Sequence, residues 1–134
     1  MNESNLSKEN ILFKVRGMVI WMSQDTKNLL LRYIDEVKKI YGVHLKQVIL
    51  YGSYARGDFN EESDIDIMIL VDISDLDIKQ YFDQISDFTF DFNLDNDLDI
   101  KPITKNLEHF MKWKQNYPFY SSISKEGVML YGAA

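Results

Sequence analysis

Apolar residues in the first half of the chain follow the spacings of one helix and two strands. From Ser23 to Gly42 they recur every three to four positions, which predicts an amphipathic helix. Ser23 or Asp25 can cap its start, and Gly42 supplies its end. The nearly all-apolar segment 47–51 predicts a strand buried on both faces, and alternating isoleucines predict a second strand over 64–71. The apolar positions of the helix are Leu30, Tyr33, Ile34, Val37, Ile40 and Tyr41.

The second half of the chain begins with a long amphipathic segment. Its apolar residues predict a helix from Ser74 to about Asn93. The run 88–92 alternates phenylalanine with polar residues as a strand does, so the end of this helix stays open between two interpretations. The apolar face of the helix comprises Leu76, Ile78, Tyr81, Phe82, Ile85 and either Phe88 or Phe90.

Three short elements follow, and one segment at the start of the chain is harder to interpret. A strand is predicted over 98–103, with Pro102 at a sheet edge, where a missing N–H donor is tolerated. A short helix over 106–114 and a final strand over 127–131 complete the pattern. Residues 1–22 are interpreted either as an extra helix or as a tail that lies partly outside the domain.

Composition narrows the chemistry that these elements can carry. The 134 residues fit a single domain with one hydrophobic core. There is no cysteine, which excludes disulfides and thiolate zinc sites, and two histidines are too few for a histidine-rich metal site. A metal ion would therefore need carboxylate ligands, which favours a hard cation such as Mg²⁺.

Charge and hydropathy argue against three further classes of protein: nucleic-acid-binding, membrane-spanning and secreted. The net charge is −6 and no basic stripe is visible, so we expect no direct binding to nucleic acid. The apolar stretch 11–22 is too short to span a bilayer and contains Lys14 and Arg16. It also lacks the flanking features of a signal peptide. We therefore predict a cytoplasmic protein with no membrane partner.

Asp64 and Asp66 form the first candidate site. Two positions apart in a strand, their side chains leave the same face of the sheet, roughly 7 Å apart along the chain. Paired carboxylates of this kind can share divalent cations, and without a cation they repel each other. By itself the Asp-X-Asp pattern fits a solvent-facing strand equally well.

Gly52-Ser53 forms the second candidate site, between a buried strand and the start of a short helix. Backbone N–H groups and the helix dipole favour an anion there, and the serine adds a hydroxyl donor. Glycine allows the backbone to approach a phosphate closely. An ordinary strand-to-helix turn is the simpler explanation for this pair alone. Together with the two aspartates, however, it forms the second half of a metal–nucleotide site.

The combined pattern resembles the signature of the DNA polymerase β-type nucleotidyltransferase superfamily. Gly52-Ser53, a short helix and the Asp-X-Asp of 64–66 are its parts. In particular, the chain is similar to minimal nucleotidyltransferases, which include antitoxins that pair with HEPN-domain toxins. Because the similarity extends roughly from Ser23 to Tyr131, we predict a minimal nucleotidyltransferase domain over 23–134 and an N-terminal extension over 1–22. The resemblance implies an α+β fold in which helices pack against a small mixed β-sheet.

The resemblance also implies roles for individual residues. Gly52-Ser53 would hold the β- and γ-phosphates of a nucleoside triphosphate, and Asp64 and Asp66 would ligate two Mg²⁺ ions. A third catalytic, metal-binding carboxylate is expected from a neighbouring strand. Asp99 matches that position, and Asp97, two residues earlier, stays open as the alternative.

Four other residues are also assigned: two basic residues near the acids, and both histidines. Arg56 is interpreted either as a contact of the triphosphate or as a partner that neutralises the nearby acids. Lys101 would lie on the same side of its strand as Asp99, where it could meet phosphate or pair with that acid. His44 and His109 are interpreted as structural or exposed residues, not as catalytic ones.

The resemblance implies transfer of a nucleotide, with ATP as the default donor, to a hydroxyl group and release of pyrophosphate. Our first hypothesis for the acceptor is a tyrosine of a HEPN-type toxin, because the chain lacks the extra domain with which larger relatives hold small acceptors. The second is a small-molecule nucleotidyltransferase whose acceptor pocket forms across a homo-oligomer interface. The third is a non-catalytic module that binds a nucleotide or a partner protein.

Overall fold

The chain alternates short strands and helices around one four-stranded sheet. The computed structural model describes residues 10–15 and 18–132, and a 3₁₀ turn over Gly42–His44 joins the first helix to the sheet. In chain order the elements are β1 (Asn10–Val15), β2 (Met18–Ser23), α1 (Gln24–Tyr41), β3 (Leu45–Tyr51), α2 (Ser53–Arg56), β4 (Ile65–Val71), α3 (Asp75–Asn96), β5 (Ile100–Asn106), α4 (Leu107–Trp113), α5 (Pro118–Glu126) and β6 (Val128–Gly132).

The sheet has the strand order β5-β4-β3-β6 and is mixed. β3 is antiparallel to both of its neighbours, whereas β4 and β5 run parallel. The central strand β4 is almost wholly apolar, and every residue from Ile67 to Val71 is fully buried. A strand buried on both faces needs no alternation of apolar and polar residues. The predicted α+β class, with helices packed against a small mixed sheet, is confirmed.

Helices cover both faces of this sheet. α1 and α3 pack on the face that carries Ile65, Ile67 and Ile69, whereas α4 and α5 pack on the face that carries Met68 and Leu70. Successive side chains of a strand leave opposite faces. Asp64 and Asp66 therefore share the α4 and α5 face, but at the end of the strand, beyond the apolar residues that the helices cover.

The first helix follows its predicted pattern closely. The Ser23 hydroxyl accepts a hydrogen bond from the Thr26 N–H at 3.1 Å, so Ser23 is the N-cap. Gly42 ends the helix with a φ of 59°, a conformation that glycine adopts at little cost. The buried residues of the helix are Leu30, Tyr33, Ile34, Val37 and Tyr41.

The long helix α3 begins as predicted after Ser74, which caps it, but its apolar face differs in part from the prediction. The strand-like run 88–92 is helical, and the rings of Phe88 and Phe92 lie 5.3 and 5.4 Å from that of Tyr33. Phe90 faces solvent, because the helical period carries it away from the positions that face the sheet. Leu76 and Phe82, for which the spacing also predicts burial, are likewise exposed, at 69 % and 65 %.

The N-terminal segment forms a β-hairpin over its described residues, so the predicted extra helix is wrong there. β1 and β2 pair antiparallel, with Asn10 opposite Ser23 and Val15 opposite Met18. The segment is rich in β-branched and aromatic residues, which favour strands. Met22 is buried in the core on α1, and residues 1–9 lie outside the described part of the chain.

The C-terminal half contains one helix that the sequence patterns did not predict. β5 is an edge strand, which confirms the position expected for Pro102, and α4 and β6 match their predictions. The unpredicted helix is α5, which has Pro118 at its start and Gly127 after its end. Among the described residues, none of the helices has the length and apolar character required to cross a membrane.

Candidate active site

Strand directions bring the predicted site residues to one corner of the sheet. The end of β3 lies beside the start of β4, with Tyr51 opposite Asp66, because these strands are antiparallel. The start of β5 lies beside the start of β4, with Lys101 opposite Asp66, because those strands are parallel. We call this group the acidic corner; it consists of Gly52, Ser53, Asp64, Asp66, Asp99 and Lys101.

Gly52 is the residue that fits the turn from β3 tightly against Asp66. Its φ of 75° and ψ of −154° lie in a region that is essentially restricted to glycine. A Cβ atom at this position would collide with the Asp66 carboxylate. Ser53 then begins α2, which is a single turn of four residues. So short a helix has little dipole, and anion binding here would rest on the local N–H groups and the serine hydroxyl.

Three carboxylates influence one another in the acidic corner. A side-chain hydrogen bond between the carboxyl groups of Asp64 and Asp99, in which the two share one proton, raises the pKa of Asp99 and lowers the pKa of Asp64. Burial and the charge of Asp64 raise the pKa of Asp66. The backbone N–H of Ile65 also donates to the carbonyl of Asp99 at 2.9 Å, which ties the starts of the two strands together. The corner therefore holds more negative charge than its surroundings neutralise.

Lys101 supplies a positive charge within this corner. Its Nζ lies 3.0 Å from Oδ2 of Asp64, and its side chain is 57 % exposed. The hydrogen bond with Asp64, together with the charges of the acids, raises the pKa of Lys101. The prediction that Lys101 shares a side with Asp99 is consistent with this position, although its direct partner is Asp64.

The donor chemistry of the corner fits a magnesium–nucleotide complex. Across residues 10–15 and 18–132, no three acidic or histidine side chains are placed to enclose one metal ion by themselves. Mg²⁺ in nucleotide sites is usually held by one or two carboxylates together with substrate phosphates and waters. Asp64 and Asp66 supply such a pair, and the Gly52-Ser53 turn lies directly beside it.

Helix α5 contacts two residues that flank the Gly52-Ser53 turn of the acidic corner. Arg56, at the end of α2, pairs with Asp58 at 3.2 Å and reaches Glu126 on α5 at 3.6 Å. The ring of Phe119, also on α5, lies edge-on to that of Tyr51, with centroids 5.7 Å apart. Burial and the charge of Asp66 raise the pKa of Tyr51 to about 12, so its hydroxyl stays protonated at neutral pH.

Comparison with known proteins identifies the family. A family model described as a nucleotidyltransferase domain matches residues 30–127, well over half of the chain. The chain belongs to the nucleotidyltransferase family. It is 37 % identical over 99 residues to the "Putative protein adenylyltransferase MJ0604" of Methanocaldococcus jannaschii, an alignment that covers 74 % of this chain and 91 % of that protein. MJ1215, a protein of the same description and organism, is 36 % identical, with 69 % and 98 % covered.

A solved structure shares the fold of this nucleotidyltransferase. The crystal structure of a "putative nucleotidyltransferase" from Sulfolobus solfataricus superposes with a TM-score of 0.54 at 20 % identity. The alignment covers 81 % of this chain and 83 % of that one. The family model and the two relatives by sequence confirm the predicted membership of the minimal nucleotidyltransferases.

Several acids and both histidines of this nucleotidyltransferase lie apart from the acidic corner. Asp97 ends α3 in a left-handed conformation with a φ of 53°, whereas Asp99 is the acid that interacts with Asp64. His44 lies at the opposite end of β3 and β4, where its Nδ1 is 2.8 Å from Asp72. His109, on α4, contacts aromatic rings at 5.9 and 6.3 Å. Both histidines are structural or exposed in this arrangement, as predicted.

The contribution of α5 was missed by the sequence patterns. From this helix Phe119 contacts Tyr51 and Glu126 contacts Arg56, although apolar spacing predicts no element over 118–126. The boundary signals were present, because proline favours the first position of a helix and glycine often follows the last. Pro118 and Gly127 occupy these positions.

Proposed function

We propose that this nucleotidyltransferase transfers a nucleotide, AMP from ATP, to a tyrosine hydroxyl of a HEPN-type toxin in a magnesium-dependent reaction. The observation that carries the proposal is the acidic corner itself. A glycine-serine turn lies against one of three interacting carboxylates, so a triphosphate and its cations would have ligands side by side.

Each residue of the corner would have a distinct task. Gly52-Ser53 would hold the β- and γ-phosphates by backbone N–H groups and the serine hydroxyl. Asp64 and Asp66 would hold two Mg²⁺ ions, which when bound supply charge neutralisation to the phosphates and lower the pKa of the acceptor hydroxyl. Arg56, one turn from the serine, would support the triphosphate from the side of α2.

The bond changes follow from this placement. The acceptor oxygen forms a bond to the α-phosphorus while the bond from that phosphorus to the bridging α,β-oxygen breaks, and pyrophosphate leaves. Asp99 would accept the hydroxyl proton or complete the metal ligands as the third carboxylate.

Two features support a protein as the acceptor. The corner is open, since Asp99 is exposed and Lys101 is 57 % exposed, so a protruding side chain can approach it. Helix α3 displays large apolar residues among acids: Phe90 and Leu94 are 64 % and 68 % exposed, and the helix carries six aspartates against one lysine. Such a mixed face suits contact with a partner protein. We also propose that residues 23–134 form the catalytic domain, preceded by the extension 1–22, and that it acts in the cytoplasm.

Label transfer from α-³²P-ATP tests this proposal. The protein is incubated with Mg²⁺ and a lysate of its source organism, with the Asp66→Asn variant as the matched control. The proposal expects a labelled protein band with wild type only, and label on tyrosine in that band. Label confined to low-mass products would favour a small-molecule acceptor. Saturable ATP binding without any transfer, in the presence of the purified partner, would favour a non-catalytic binding module.

A further inference from the structure

We propose that Asn93 is a positioning residue that sets Asp99 beside Asp64. Asn93 lies partly buried in the last turn of α3. Its side-chain hydrogen bonds go to Ile100, the first residue of β5, which directly follows Asp99, and not to the carboxylates themselves. The inference rests on the function proposed above, in which Asp99 takes part in the reaction.

The side-chain amide of Asn93 holds both backbone groups of Ile100. Its Nδ2–H donates to the Ile100 carbonyl at 3.0 Å, and its Oδ1 accepts from the Ile100 N–H at 2.9 Å. The pair of bonds imitates that of a neighbouring β-strand. Among side chains of this length, only a carboxamide offers a donor and an acceptor together.

The backbone of Asn93 fixes the other half of the same turn. Its carbonyl accepts hydrogen bonds from the N–H groups of Asp97 and, at 3.1 Å, of Leu98. Asn93 therefore binds Asp97 and Leu98 before Asp99 and Ile100 after it. Ile100 is only 2 % exposed, so the amide bonds that it makes are shielded from water.

These bonds leave Asp99 little freedom in its main chain. Its carbonyl accepts from the N–H of Ile65, between Asp64 and Asp66, while the next residue is held by Asn93. The carboxylate of Asp99 thus approaches Asp64 from a backbone anchored on both sides. Loss of the Asn93 amide would release one anchor, and small misplacements of a reacting group reduce rates strongly.

The test compares Asn93→Ala with Asn96→Ala. Asn96 lies one turn further along α3 and donates to the Phe92 carbonyl at 2.9 Å, outside the turn that carries Asp99. In Asn93→Ala we expect kcat to fall by about 10- to 100-fold. The KM for ATP should stay within about twofold, because the proposed phosphate ligands are untouched. Amide exchange at Ile100 should become faster in Asn93→Ala and stay unchanged in Asn96→Ala.

The two measurements separate failure of the inference from failure of the proposed function. Unchanged exchange at Ile100, or faster exchange with an unchanged kcat, would overturn the role of Asn93. Equal losses of kcat in both variants would also overturn it, since general destabilisation would explain them. A wild-type protein with no more transfer than Asp66→Asn would remove the proposed function, and exchange at Ile100 would still decide whether Asn93 holds the turn.

Discussion

Both ends of the central strand pair β3 and β4 carry aspartates, but the surroundings of these aspartates differ between the two ends. At one end Asp72 lies between two basic side chains: His44 is 2.8 Å from it and Lys46 is 3.4 Å from it. The hydrogen bond with His44, followed by Lys46, lowers the pKa of Asp72. At the other end, three aspartates share Lys101, and the pKa values of Asp66 and Asp99 are raised.

The comparison separates a carboxylate that its neighbours stabilise as an ion from two that their surroundings favour in the protonated form. A carboxylate whose pKa is lowered gains from its surroundings as an ion, which is the usual condition of a surface ion pair. In the acidic corner, burial and then the charge of Asp64 raise the pKa of Asp66, and the hydrogen bond with Asp64 raises the pKa of Asp99. A bound cation would favour the ionised form of each carboxyl group, as the proposed function requires, whereas the Asp72 end has the electrostatics of an ordinary surface ion pair.

The largest expected contrast is between Asp66→Asn and Asp72→Asn. Nucleotide transfer should fall on the order of 10³-fold or more in Asp66→Asn, because a proposed ligand of the Mg²⁺ ions is lost. It should be unchanged in Asp72→Asn. In EDTA, the melting temperature of Asp66→Asn should equal or exceed that of wild type, since one of three like charges is removed. Calorimetry measures the melting temperatures, and a label-transfer assay measures the activities. A strongly destabilised Asp66→Asn would show that Asp66 also stabilises the fold, which would contradict a role in the site only.

The next contrast is between two glycines with positive φ. Gly52→Ala should be destabilised by about 1–3 kcal/mol and lose most activity, because its Cβ meets the Asp66 carboxylate in a strained backbone conformation. Gly57, with a φ of 84°, has open space where an alanine methyl group would lie, so Gly57→Ala should cost about 1 kcal/mol and remain active. Urea unfolding compares the stabilities of the two variants, and label-transfer rates compare their activities. Equal losses of activity would show that the contact with Asp66 is unimportant.

A smaller effect is expected when the lysine at each end is removed. Lys101→Met should tighten the binding of Mn²⁺, used as a probe for Mg²⁺, by about 3- to 10-fold, because a positive charge next to Asp64 is lost. Lys46→Met, at the Asp72 end, should leave Mn²⁺ binding unchanged. Titration followed by electron paramagnetic resonance measures both. Weaker binding in Lys101→Met would mean that the lysine supports the cation site and does not compete with it.

The smallest effect concerns the dependence of stability on pH at the Asp72 end. Because the pKa of Asp72 is lowered in the folded protein, its ionised form stabilises the fold above the ordinary aspartate pKa of about 3.9. That contribution is lost as the pH falls through the lowered value. The melting temperature of wild type should thus exceed that of Asp72→Asn slightly at pH 7, and the difference should vanish in acid. A constant difference across this range would contradict the assignment.

Much of the fold was predictable because local patterns and tertiary packing agree in its central part. Helix α1 and strands β3 and β4 follow apolar periodicities that the core preserves. The sequence left open whether Asp97 or Asp99 is the third acid of the site. The difference between them depends on the left-handed conformation of Asp97 at the end of α3, which no apolar periodicity predicts. Likewise, Phe82 and Phe90 are exposed although phenylalanine is typical of the core. Only the position of the sheet distinguishes them from the buried residues of the same helix.

The grouping of the acidic-corner residues was predictable from the sequence, and their surroundings were less so. Gly52, Asp64 and Asp66 stand close together in the sequence, so a short motif was enough to group them. Asn93 contacts Ile100, next to Asp99, and Phe119 contacts Tyr51, next to Gly52. Neither carries a pattern of its own, and their contributions arise from strand order and helix packing, which are properties of the assembled fold.

The most direct test of the central claim is to follow both ends of ATP in one reaction. Wild-type protein, Mg²⁺ and the acceptor fraction are incubated in parallel with α-³²P-ATP and γ-³²P-ATP, with EDTA and Asp66→Asn as controls. The acidic corner, acting as a nucleotidyl-transfer site, should pass the α label to the acceptor and release the γ label in pyrophosphate, and both controls should abolish this. Transfer of the γ label to the acceptor, or undiminished α transfer by Asp66→Asn, would contradict the account.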